Sequence, residues 1–415
     1  MGGLAGEGAG TKTGDDRGDA AGCCGGAAGL KTLGAGVSQV DELGLNDAIA
    51  VVGAGIAGLS LVDALLERGM RPSELIVIDA GDPHRGSNAP ATVLHPFAGR
   101  TMAPGEEHWR AFLKSWETLK RWCAREDEPL WRPAPMMRLM EGDKLSAKLE
   151  ESWEEGRARY PEVVKSRRVE GDESVRLLPS WQGAPALVYE PAAAVDLPGL
   201  CAALLKRAKE RGVRVVQGEV ADLRGGEEGW VIGFAGGAPA LRVARVVLAT
   251  GAALGALLGE ADLRERPGEV GVWEATGPLE DLNVMINSAA NLFERPDGRV
   301  GVGSTYLKRE GWREREDAEA DRELREKMAA ALGGADPGTA LEIWRGVRGI
   351  YGSDHRPLVG PVAGERELFV MAGFGSKGLT WAPAMGQVLA AHLLEGAAIW
   401  DVVDARRARR MRLRA

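Results

Sequence analysis

The residues of this chain most plainly spaced for chemistry lie in "VVGAGIAG": Gly53, Ala54, Gly55, Ile56, Ala57 and Gly58 form a GxGxxG, and Asp79 follows 24 residues after Gly55. A glycine at the first position permits a tight turn, the second lets backbone approach a pyrophosphate, and the third lets a helix pack on a strand. The N–H groups of that helix then face the phosphates. Asp79, at the end of "ELIVIDA" and followed by Ala80, is placed to accept ribose hydroxyls. Strand, glycines, helix, strand and terminal acid in register spell a βαβ unit for one nucleotide half.

A second match, "GFGSKG", sets Gly373, Gly375 and Gly378 around Ser376 and Lys377, with Leu379 next. Asp401 lies 26 residues past Gly375 and imitates the spacing of a ribose acid. The intervening "AAIW" is a poor strand, however, and only eleven residues follow Asp404, too few for the remaining strands of a nucleotide half. One dinucleotide is expected. The second glycine run is expected to open a helix near Leu379, with Lys377 just ahead of it.

The elements that hold these motifs are those of a globular protein of 415 residues, 45% hydrophobic and 27% charged, long enough for two domains. A formal net charge of −8 argues against a protein built to coat nucleic acid. The four cysteines show no metal or disulfide spacing, so no metal site and a reducing, cytoplasmic compartment are expected. Residues 1–46 are rich in Gly and Ala, with six acids against three bases, and read as disordered. They match neither a signal nor a transit peptide. No apolar stretch reaches the roughly 18 residues of a membrane span.

Later segments make a resemblance specific. "GVRVVQGEV" reads as a strand ending near Val220, followed by a hairpin-like excursion around Trp230, and "ARVVLATG" as a buried strand closing at Thr250 and Gly251. GxGxxG, acid, then "VVLATG" resembles the FAD-dependent oxidoreductases with a glutathione-reductase-type FAD fold. Within them the chain is similar to the D-amino-acid oxidase family, which also holds glycine oxidase, sarcosine oxidase and the flavin module of a tRNA wobble-uridine modification enzyme. "RGSNAPATVLHPFAGR" resembles the family's loop beneath the flavin, carrying Ser87 and Asn88, although it departs from the usual Ser-Gly core. "RGVRGIYGSDHRPLVGPV" and "FGSKGLTWAP" resemble its C-terminal signatures.

The resemblance implies an α/β, two-domain (α+β) architecture: a Rossmann-like FAD-binding domain and an antiparallel-sheet substrate domain. The FAD-binding domain is expected over 47–100, 190–262 and 341–404, and the substrate domain over 101–189 and 263–340, with a basic tail at 405–415. Six tryptophans at 109, 116, 122, 131, 153 and 181 read as core or interface. The implied cofactor is FAD and the implied reaction is oxidation of a C–N bond of an amino acid or secondary amine, by hydride transfer to flavin N5, with oxygen or another acceptor taking the electrons. Arg348 is expected to hold a substrate carboxylate, ahead of its neighbours Arg345 and Arg356, with Tyr306 and Tyr351 beside it. His95 and His355 sit in flavin-proximal segments and read as hydrogen-bonded structural groups. Two other readings stay open. One is tRNA wobble-uridine modification, for which the six arginines of the tail could touch RNA, though no methyltransferase-like segment precedes residue 47. The other is a non-catalytic flavoprotein with an assembly or regulatory role.

Overall fold

The computed structural model describes residues 47–97, 105–140, 143–161, 165–259, 263–408 and 411–413. The expected disorder of 1–46 and parts of the 85–100 loop and of the tail lie outside the described residues.

The short apolar runs of the nucleotide half build a six-stranded sheet in the order Leu358–Pro361, Leu368–Ala372, Arg245–Leu248, Ile49–Val52, Leu75–Asp79, Arg214–Gln217. All neighbours pair parallel except the first two. Because side chains alternate along a strand, both faces need cover. Val51, Val77, Val247 and Met371 pack under the helices Ile56–Glu67, Leu197–Glu210 and Gly378–Glu395. Ala50, Ile76, Val246 and Val370 pack instead against Trp230, Ile232 and Leu241 of a three-stranded antiparallel sheet. The first and last of these helices touch closely: a Cβ on Gly386 would lie 2.6 Å from the backbone of Ser60. The strand expected to end near Val220 stops at Gln217, and Val220 starts the Val220–Gly226 strand of the small sheet.

An eight-stranded mixed sheet forms the other half, in the order Glu342–Tyr351, Leu263–Trp273, Val300–Gly303, Asn291–Glu294, Met285–Asn287, Met136–Leu139, Ala186–Glu190, Lys165–Val169. One face buries Met137, Val188, Ile286, Leu292 and Val302 against Leu324 and Met328 of the helix Asp317–Met328. The opposite face carries Gly268, Gly301, Gly303 and Gly346 and turns toward the nucleotide half. Here the expected domain boundary shifts. Residues 342–351, assigned to the FAD-binding domain, form an edge strand of this second sheet, paired with 263–273 over ten rows. Single bridges from Arg85 to Val347 and from Ile350 to Phe374 tie the same strand to the first half. Trp109, Trp122 and Trp153 are buried and Trp116, Trp131 and Trp181 pack against core clusters, as their composition suggested.

Candidate active site

A cavity of ≈ 950 Å³ opens between the C-terminal ends of the parallel strands and the glycine-bearing face of the eight-stranded sheet. This is where open α/β sheets bind ligands. Of the expected cofactor residues, Gly53, Gly55, Ile56, Ala57, Asp79, Ala80, Ser87, Val220, Thr250, Gly251, Gly373, Gly375, Ser376, Gly378 and Leu379 line it. Arg348 lines it too.

The walls are shaped for a flat, phosphate-bearing group. Gly53 has φ +110°, and a Cβ there would lie 2.4 Å from the carbonyl oxygen of Ala249. A Cβ on Gly55 would meet Ser87 Oγ at 2.9 Å. Ser87 Oγ accepts from the Ile56 N–H at 3.0 Å and so caps the first amide of this helix, while the N-cap Gly55 has no side chain to cap the next ones. Thr250 Oγ1 is buried with no hydrogen-bond partner among the described residues, a hydroxyl awaiting an acceptor or donor on the cavity wall. Across the space, the helix Gly378–Glu395 starts without a side-chain cap, with its Gly378 and Leu379 on the wall. Two helix N-termini, a glycine floor and an unsatisfied hydroxyl fit FAD: Gly53, Gly55, Ile56 and Thr250 suit its pyrophosphate, and Gly375, Ser376 and Leu379 the ring system.

Several expectations change. Asp79 is not a bare ribose acceptor. Its carboxylate takes the Ala54 N–H at 2.9 Å and Gly81 N–H at 3.2 Å, and pairs with Arg85 Nη1 at 2.7 Å. Arg85 Nη1 also reaches the other carboxylate oxygen at 2.9 Å, so the roughly four lone-pair sites of the ionised Asp are all engaged. Ala54, Gly58 and Asn88 sit behind the wall: Gly58 lets the helix seat on Gly53 O, and Asn88 accepts from Arg85 Nε at 3.0 Å and braces the 82–83 turn. Lys377 also lies off the cavity wall, and burial holds its ammonium below the usual lysine range, opposed by Asp354. Tyr351 is a core residue. It packs with Leu358, Val370 and Met411, with the Arg407 guanidinium 4.7 Å from its ring, because it lies an odd number of residues from Arg348 and so points to the other face. Tyr306 is 72% exposed rather than packed in a strand, and its ring stands 5.0 Å from the Arg348 guanidinium.

Arg348 donates to Arg266 O (3.3 Å), Ser304 Oγ (3.3 Å) and Thr305 O (3.4 Å), all neutral acceptors. Arg345 is engaged elsewhere, ion-paired with Glu269 and Asp317. Glu269 is wholly buried and accepts from Thr305 Oγ1 and from Arg315, which fixes the carbonyl that Arg348 leans on. His95 is neutral at any ordinary pH. Burial, then the nearby charges of His108 and Arg138, pushes it down to about 3, and its Nδ1 meets the Tyr189 hydroxyl at 3.3 Å. His355 stands in a turn at φ +54° and does not line the cavity. Sequence reasoning missed Arg85, Glu269 and Asn291; the last two carry no local motif, and Arg85 was quoted only as part of its loop.

The fold and site can now be set beside known proteins. The family model described as FAD dependent oxidoreductase (DAO) matches residues 48–392. A relative, the tRNA 5-methylaminomethyl-2-thiouridine biosynthesis bifunctional protein MnmC of Maricaulis maris, is 29% identical over 353 residues, covering 84% of this chain and 52% of the relative. The chain thus spans about half the length of that relative. Uncharacterized oxidoreductase YurR of Bacillus subtilis is 25% identical over 363 residues and is covered over 93% of its length. Among solved structures, iminodiacetate oxidase from Chelativorans sp. BNC1 superposes with TM-score 0.72 at 22% identity, covering 85% of this chain and 96% of that one. Glycine oxidase from Geobacillus kaustophilus gives 0.70 at 21%, covering 85% and 95%. No helix among the described residues is long and apolar enough to cross a membrane, and no described cluster of His, Cys, Asp and Glu could hold a metal. A glycine cradle of this shape and a family match across most of the chain give one conclusion: the protein belongs to the DAO family and is an FAD-dependent oxidoreductase.

Proposed function

We infer that the protein oxidises a C–N bond of an amino acid or secondary amine whose carboxylate is held by Arg348. The observation that carries this is the state of that guanidinium: it stands on the cavity wall with neutral acceptors at 3.3–3.4 Å and no ion-pair partner among the described residues. Burial lowers its pKa, against the pull of Tyr306, yet arginine stays charged. A desolvated cation without a counter-ion is costly, and a bidentate carboxylate supplies the missing charge in matching geometry. FAD, when bound, supplies the hydride acceptor that C–N oxidation requires.

The remaining residues position and exclude. Glu269 and Thr305 hold the Arg348 fork, and Tyr306 covers it on the solvent side. The product imine is hydrolysed by water to a carbonyl compound and an amine, and the electrons leave to oxygen or another acceptor.

A second reading, oxidative removal of a carboxymethyl group from a modified wobble uridine, is favoured by one feature. The cavity mouth carries Arg309, Trp312 and Arg313, with the Arg313 guanidinium 4.4 Å over the Trp312 ring, a surface on which a base could stack. Anaerobic mixing of the holoenzyme with glycine, sarcosine, D- and L-amino acids and carboxymethylaminomethyl-modified tRNA separates the two. Bleaching of the visible flavin band by small amines supports the first reading, and bleaching by tRNA alone supports the second.

A further inference from the structure

Three adjacent strands of the eight-stranded sheet bring together side chains that no motif announces. Arg138 (Met136–Leu139), Asn287 (Met285–Asn287) and Asn291 (Asn291–Glu294) point to the cavity-facing side of the eight-stranded sheet, and Asn291 lines the cavity itself. Arg138 Nη1 donates to Asn287 Oδ1, and Asn287 Nδ2 donates to Asn291 Oδ1. Arginine has only donors, so it fixes which end of the Asn287 amide faces it. Asn287 must then turn its NH₂ to Asn291, and Asn291 must turn its oxygen to Asn287. The chain of bonds leaves Asn291 Nδ2 as the group presented to the cavity, with no partner among the described residues.

The position of that donor relative to Arg348 is also set. Asn291 pairs with Gly303 across adjacent strands, about 5 Å apart at Cα. Arg348 reaches back to Ser304, the residue after Gly303. Two anion- or acceptor-seeking groups therefore flank Gly303, where a Cβ would stand 2.4 Å from Val270 Cγ1, so only glycine fits between them. We propose that Asn291, held by the Arg138–Asn287 relay, is a specificity-determining residue that binds a second acceptor group of the substrate, a second carboxylate, while Arg348 binds the first. The preferred substrate class is thus a secondary amine flanked by two carboxylates. This rests on the carboxylate role of Arg348 and adds the opposite end of the substrate.

The test uses inert ligands, so it reads binding and not turnover. Methylthioacetate and thiodiacetate replace the amine nitrogen by sulfur and differ only in the second carboxylate. Each is titrated into the FAD-loaded protein and followed by perturbation of the flavin spectrum. The parent is expected to bind thiodiacetate at least about tenfold tighter than methylthioacetate. Asn291→Leu is expected to shrink that preference to under about threefold, and Asn291→Asp to abolish it or reverse it, with methylthioacetate affinity and flavin content unchanged. A parent that binds the two ligands equally, or a preference that survives both substitutions, overturns the proposal. The amine-oxidation reading fails separately, if no small amine bleaches the flavin.

Discussion

The two sheets present different groups to the cavity between them. The six-stranded half presents backbone: glycines that let a ligand approach, helix amides, and one hydroxyl at Thr250. The eight-stranded half presents side chains, Arg348 and Asn291, each oriented by a buried polar neighbour. Recognition by backbone requires particular residue types at fixed local spacing. Recognition by side chains requires only that distant strands meet.

That contrast can be broken or sharpened by substitution. Gly55→Val adds a side chain where even a Cβ would stand 2.9 Å from Ser87 Oγ and would block the pyrophosphate path, so the purified variant is expected to be colourless yet folded by circular dichroism. Retention of yellow colour would break the cradle argument. Glu269→Leu, in the other half, leaves Arg315 and Arg345 beside an apolar group and should cost about 3–5 kcal/mol in urea unfolding, with flavin still bound to the folded fraction. A change under 1 kcal/mol would show that the network is not a determinant of that sheet.

A pH effect comes next in size. His108 is buried, and burial, aided by the charge of Lys377, pushes it down to about 4, against an acceptor bond to Pro96 O. Between pH 6.5 and 4 the unfolded chain binds the proton and the folded one does not, so stability falls as pH falls through that window. From pH 7 to 5 the share of the loss due to His108 should be about 2 kcal/mol, beside a similar share from His95, and His108→Gln should about halve the slope of that part of the profile. The smallest effect expected is for Thr250→Val, which removes one hydroxyl from the cavity wall. FAD affinity should drop roughly fivefold, or about 1 kcal/mol, in a fluorescence titration. No change would mean that the hydroxyl has no partner in the complex.

The difference also explains what was legible in the sequence. Gly53, Gly55, Gly58, Thr250 and the Gly373–Gly378 run could be placed at or just behind the cavity wall from the sequence because local backbone sets their positions. Asp79 was half readable: its place at a strand end was clear, whereas its ion pair with Arg85 needed the loop 80–88 to fold back. Tyr351 was misplaced by proximity in sequence. Strand parity, three residues from Arg348, sends it into the core. The relay from Arg138 to Asn291 joins residues 149 apart in sequence at its first bond, and no local pattern encodes it. The edge strand Glu342–Tyr351 was assigned to the wrong half because its motif resembles a nucleotide-domain signature while its hydrogen bonds go to Leu263–Trp273.

The central claim is that Arg348 holds the carboxylate of an amine donor. It is tested most directly by anaerobic stopped-flow reduction of the FAD-loaded parent and Arg348→Met by sarcosine and by dimethylamine, which lacks the carboxylate. The expected result is rapid bleaching of the parent by sarcosine, a fall of about 30- to 1000-fold in the second-order rate for the variant, and an equally poor reaction of both proteins with dimethylamine. Equal reduction of parent and variant by sarcosine, with flavin content unchanged, would contradict the account.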